Sequence, residues 1–268
     1  MGFDYFQLAY CTPDVLEKIR VAEAEGRFND HLDPIEADGI LPVDENFPYK
    51  PGFFLNLVYF FRRVFFLNGF TKRLNRTVLH TSVTGRENLK GVRGAVYVCN
   101  HVNKYDALAV VYALKFRPLK IMVAEFNNRP GFLGDMMRAA GILPLKFTRE
   151  CIKKFGDAVR YFLSRGTGVL FFPEGSEWWC YKKPRPMIDG AFHYAVQNDV
   201  PVVPLFITFS DSCGTDALLL PDFTVNILEP IYPADVQASN RKELSRALKE
   251  KAEQSWRACY ERVYGERL

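Results

Sequence analysis

Seven short apolar runs, separated by segments of helical period, constrain this chain more than any other feature. Residues 77–83, 95–99, 119–124, 142–145, 168–172, 202–209 and 224–228 are apolar and mostly rich in β-branched or aromatic side chains, as buried strands are. Most are separated by stretches with apolar residues three and four apart, such as Ile152, Phe155, Val159, Phe162 and Leu163 ahead of Gly166. Strand and helix in alternation with short connections give crossover units. The expected fold is therefore α/β, a mostly parallel central sheet covered by helices on both faces.

The flanks are less regular. Thr12-Pro13 predicts a helix closed by Gly26, and a charged amphipathic helix is expected from about 240 to 264. Residues 27–52 hold several Pro and Gly and many acids, the pattern of a lid or a wrapping segment. Residues 1–50 contain 4 Lys/Arg against 11 Asp/Glu, a net of −7, so the remainder carries +11 of a chain whose total is +4. This divides the sequence into an acidic extension (1–50), a membrane-interfacial or sheet-covering helix (51–76) and a main α/β domain (77–268). At 268 residues and 48% hydrophobic content the chain is long enough for a sizeable core. A basic body attracts anionic surfaces; an anionic membrane is the expected partner, and no nucleic acid. The sequence is silent on oligomeric state.

The membrane expectation rests on residues 53–70, Phe-Phe-Leu-Asn-Leu-Val-Tyr-Phe-Phe-Arg-Arg-Val-Phe-Phe-Leu-Asn-Gly-Phe. The run approaches the roughly 20 residues that span a bilayer, but Asn56, Arg62, Arg63 and Asn68 interrupt it. An aromatic helix followed by Lys72, Arg73 and Arg76 suits the headgroup region, with rings in the acyl boundary and cations near anionic lipid. Cys11, Cys99, Cys151, Cys180, Cys213 and Cys259 are scattered without a Cys-x-x-Cys pair, which reads as reduced thiols. No secretory signal pattern is seen near residue 1, and Phe6 stands where a myristoylation motif has Ser or Thr. The expected location is peripheral, at the cytoplasmic face of a membrane.

Chemistry enters at Cys99-Asn100-His101-Val102-Asn103-Lys104-Tyr105-Asp106. On one continuous helix a five-residue spacing leaves His101 and Asp106 on different faces. If His101 lies in the loop after the strand and Asn103 caps a helix of about 104–116, Asp106 falls in the first turn and reaches back to the imidazole. A carboxylate on one ring nitrogen leaves the other to take a proton near neutral pH. Glu174, in Phe171-Phe172-Pro173-Glu174-Gly175-Ser176, also follows an apolar strand. Parallel strands bring such residues to one sheet edge, where open α/β folds bind ligands.

The order His-x4-Asp, then Gly141-Ile-Leu-Pro-Leu-Lys146-Phe-Thr-Arg149, then Phe-Pro-Glu-Gly, then Val200-Pro-Val-Val-Pro-Leu resembles the lysophosphatidic acid acyltransferase group of glycerophospholipid acyltransferases. The resemblance covers about residues 78–207. It implies transfer of a fatty acyl group from a thioester, acyl-CoA or acyl carrier protein, to a hydroxyl of a lysophospholipid. His101 is then the general base and Asp106 its orienting partner. Glu174, Gly175 and Ser176 are implied at the acceptor, with Asn103 where the family has Ser, and Arg149 or Lys146 on phosphate. No bound cofactor and no metal are implied. The chain departs from the pattern at Phe147, where the family places Arg, and at Glu177 with Trp178-Trp179 after Ser176. Two other readings use the same residues: a non-catalytic membrane-surface lipid-binding protein on this scaffold, and a metal-dependent hydrolase with His193 joining His101 and Glu174. Lys182, Lys183 and Arg185 read either as replacements for the Arg missing after Ser176 or, the favoured reading, as a solvated basic loop.

Overall fold

The computed structural model describes residues 13–32, 39–209 and 221–268. Thr12, Cys11 and Cys213 lie outside them. Among the described residues seven strands form one sheet: β1 (Ser82–Thr84), β2 (Val96–Cys99), β3 (Leu119–Ala124), β4 (Ile142–Leu145), β5 (Gly168–Phe171), β6 (Val202–Phe209) and β7 (Phe223–Ile227). Their spatial order is β1-β7-β6-β2-β5-β3-β4, parallel at every pairing except β6–β7. The expected mostly parallel α/β sheet is thus present.

Side chains alternate along the strands and divide the core. On one face Val96, Val98, Phe171, Val202 and Phe206 pack with α6 (Arg149–Leu163), α7 (Gly190–Asn198) and α8 (Arg241–Tyr264). On the other, Tyr97, Cys99, Leu170, Val203 and Ile207 meet α4 (Asp106–Ala113) and Leu74. Period-two alternation is what a sheet buried on both sides requires. Helix α8 opens on Asn240, whose Oδ1 accepts from Glu243 N at 3.0 Å.

Two expectations change at the edges. Residues 77–83 were expected as a strand, but the preceding helix continues to Thr77, and His80 turns the chain at φ 41° before the short β1. Short apolar runs carry no period long enough to separate the two states. The aromatic segment is one helical column: α2 (Phe53–Arg62), a π-helical stretch (Arg63–Leu67) and α3 (Asn68–Thr77). Only its last part, with Thr71, Leu74 and Asn75, is buried. No residue of the first two parts is buried. Arg62 pairs with Asp135 of α5 (Gly131–Ala140) at 3.1 Å. The column is long and apolar enough to cross a membrane by length and composition.

The acidic N-terminal region packs on the body where it is described. Val15, Ile19 and Ala22 of α1 (Pro13–Ala24) bury Trp178 and Trp179, so both indoles pack in a satellite core. Farther on, Tyr49 Oη donates to Pro144 O at 2.8 Å and Leu41 N to Asn128 O at 2.8 Å, wrapping the segment along the β4 edge.

Candidate active site

β2 delivers His101 to the C-terminal edge of the sheet by a fixed route. Asn100 locks the strand end to β6, with Nδ2 donating to Ile207 O at 3.0 Å and Oδ1 accepting from Ile207 N at 2.7 Å. His101 follows in the loop, as the five-residue spacing required. Its ring stacks on Phe172, one residue beyond β5, at 4.3 Å between centroids and 22° between planes.

Asp106 is the first residue of α4 and is fully buried. Its Oδ2 accepts from Val102 N at 2.6 Å and Asn103 N at 2.9 Å, and lies 3.0 Å from His101 Nδ1. An oxygen already receiving two amides acts as an acceptor, so Nδ1 carries the proton and neutral imidazole keeps its lone pair on Nε2. Burial pushes the Asp106 carboxyl well above its usual range; the Asn103 and Val102 amides pull it back, and Glu174 raises it again. The helix is shorter than expected. Asn103 still stabilises its entry, through Oδ1 accepting from Tyr105 N at 2.9 Å. The Asn103 side chain is buried, and its Oδ1 serves its own turn.

Glu174 follows β5 in the adjacent loop. It is buried, and Oε2 accepts from His101 N at 2.9 Å and Arg185 Nη2 at 2.8 Å, while Oε1 accepts from Arg185 N at 3.0 Å. The carboxylate therefore holds the two strand-end loops together. Ser176 Oγ accepts from Arg185 Nη1 at 2.9 Å, and Ser176 also lines the cavity. Gly175 lines the cavity beside His101; its φ of 79° favours glycine, and a Cβ there would stand 2.8 Å from Ile188 Cδ1.

Arg185 is the residue that sequence reasoning misplaced. Its guanidinium is wholly buried, donating also to the carbonyls of Phe28, His101 and Ser176, and stacking 4.6 Å from the Trp178 ring. The neighbouring prolines, Pro184 and Pro186, and the Trp pair marked a shaped loop instead of a solvated one. Lys146 and Arg149 are exposed and do not line the cavity, and Lys146 pairs with Glu125 at 3.6 Å. That removes the expected phosphate contacts from the cavity wall. Cations that do line it include Lys104, Arg129 and, on α8, Arg241 and Lys242.

The cavity holds about 1550 Å³ and is walled by apolar side chains from β3, β4 and β5 as well as by His101. This volume exceeds that of an ordinary small-ligand pocket. His193 of α7 also lines it. Among the described residues no three His, Cys, Asp or Glu side chains cluster as a metal site.

Residues 80–208 match the family described as Acyltransferase. The chain is similar to 1-acyl-sn-glycerol-3-phosphate acyltransferases, among them one of Limnanthes douglasii, 26% identical over 57% of this chain and 55% of the relative. One from Mus musculus, the alpha form, is 28% identical over 48% of this chain and 46% of the relative. An uncharacterised acyltransferase of Schizosaccharomyces pombe is 30% identical over 47% and 46%. The chain spans about half the length of the curated relatives it matches. Its fold is similar to the crystal structure of the 1-acyl-sn-glycerophosphate (LPA) acyltransferase PlsC from Thermotoga maritima, with a TM-score of 0.54, 18% identity, and coverage of 80% of this chain and 96% of that one.

Proposed function

We propose that the protein is an O-acyltransferase of the glycerophospholipid type, moving a fatty acyl group from acyl-CoA or an acyl carrier protein thioester to a hydroxyl of a lysophospholipid. Lysophosphatidic acid is the acceptor suggested by the relatives' names. The observation that carries this reading is the imidazole held by buried Asp106 at the wall of a cavity large enough for a lipid chain.

In the proposed reaction His101 Nε2 takes the acceptor hydroxyl proton as that oxygen attacks the thioester carbonyl. The C–O bond forms, the C–S bond breaks, and the imidazolium returns its proton to the departing thiolate. Asp106 keeps the ring in the required tautomer and stabilises its charge. Glu174 and Arg185 act one layer behind, fixing the His101 backbone. A ternary complex of this kind needs no acyl-enzyme nucleophile. General base assistance supplies about 10² to 10⁴-fold, and positioning supplies much of the rest.

The helix beginning at Phe53 is proposed to lie in the interface on the cytoplasmic side, where the scattered thiols stay reduced. Phe54, Phe65 and Phe66 are 81%, 68% and 68% exposed, and with Phe132 and Leu133 of α5 they form an uncovered apolar surface. The test is to incubate purified protein with a panel of lysolipids and labelled acyl thioesters of both carriers. Labelled diacyl product with release of free thiol is expected. No product from any pairing contradicts the reading.

A further inference from the structure

The wall beside the proposed base carries a negative charge in a region of the chain that is strongly basic. Glu177 lines the cavity with its side chain 18% exposed, and its Oε2 lies 4.0 Å from His101 Nε2. Lys104 lines the same wall just before α4 and is exposed; partial desolvation lowers its pKa, and the charge of Glu177 opposes that shift. The wall that holds the reacting nitrogen thus carries an anion close to Nε2 and a cation elsewhere on the same cavity.

We propose that Glu177 and Lys104 select the acceptor by charge: a zwitterionic lysophospholipid, whose phosphate diester carries an ammonium headgroup, over a lysolipid ending in a phosphate monoester. This rests on the acyl-transfer reading above and narrows its acceptor. The hydroxyl that gives up its proton comes within about 3 Å of Nε2, so it lies within about 7 Å of the Glu177 carboxylate. In a lysophospholipid the phosphate hangs from the carbon next to the one bearing that hydroxyl, and falls in the same neighbourhood. A monoester brings close to two negative charges there, opposing Glu177 in a site of reduced dielectric. A diester brings one, which Lys104 matches, and its ammonium matches Glu177. Like charges at this range are worth about tenfold or more in preference.

The experiment compares kcat/KM for lysophosphatidylethanolamine and lysophosphatidic acid of the same acyl chain, with one labelled acyl thioester. The protein as it stands, Glu177→Gln and Glu177→Arg are assayed together, each checked by its unfolding transition. The unaltered protein is expected to prefer the zwitterion by about tenfold, Glu177→Gln to erase that preference, and Glu177→Arg to invert it. A preference for the monoester in the unaltered protein, or one ratio common to all three, overturns the proposal while leaving acyl transfer standing. Absence of transfer to both acceptors removes the acyl-transfer reading, and the proposal with it.

Discussion

Arg185 and Glu174 are wholly buried charges 2.8 Å apart, and their other hydrogen bonds tie together the His101 loop, the loop after β5 and Phe28 of the N-terminal segment. Removing one partner strands the other charge away from water, a change that costs about 3–5 kcal/mol. Arg185→Met is accordingly expected to lower stability by that amount in urea unfolding. Arg185→Met combined with Glu174→Gln should cost less than the two single changes added, because no lone charge remains. Additive losses would show that the pair is not coupled. The contrast with His101 and Asp106 explains what a sequence exposes at this scale. Those two lie five residues apart, so strand end, loop and helix start suffice to join them. Arg185 is fixed by the carbonyls of Phe28 and His101, 157 and 84 residues away, and only the assembled fold brings these together.

Among the elements, β3 and the long aromatic helix carry the clearest consequences. Lys120 of β3 lies over the Phe162 ring at 4.6 Å, and burial, aided by Arg63, lowers its pKa from 10.5 to about 8. Below pH 8 the ammonium is charged in both states and the folded state bears the burial cost. Between about 8 and 10.5 the unfolded chain holds a proton that the folded one has released, so the contribution of Lys120 to stability rises with pH. Lys120→Met is therefore expected to be more stable than the unaltered protein at pH 7, with the gap narrowing by pH 10. Parallel stability profiles in the two proteins would contradict this assignment. On the helix, Phe65→Ser with Phe66→Ser should leave the unfolding midpoint nearly unchanged while weakening sedimentation with anionic vesicles by about tenfold or more, since each buried aromatic ring contributes about 1.5–3 kcal/mol. Unchanged vesicle binding would remove the interfacial role. Strands β3, β4 and β6 were readable to the residue because apolar runs end at turn-forming neighbours. The strand expected at 77–83 was not, because Thr77 and Val78 suit the end of a helix as well as the start of a strand.

At the scale of the whole molecule, the parallel sheet gathers the ends of β2 and β5 on one edge, and the cavity opens against that edge. The α/β class followed from alternation alone, since sheet residues facing both ways into helices have to be apolar throughout. The path of residues 13–32 was not readable in the same way. There Trp178 Nε1 donates to Asp30 O at 3.0 Å and Lys183 pairs with Glu23 at 2.7 Å, contacts between segments about 150 residues apart that no local pattern in the sequence links. The N-terminal segment thereby braces the loop that contains Glu174, Ser176 and Arg185.

The account as a whole turns on whether the imidazole at position 101 moves the proton. The direct measurement is acyl transfer by His101→Ala, with its unfolding transition and vesicle binding recorded on the same preparation. The account predicts transfer reduced by about 10² to 10⁴-fold in a protein that still folds and still binds vesicles. Transfer at the unaltered rate would contradict it.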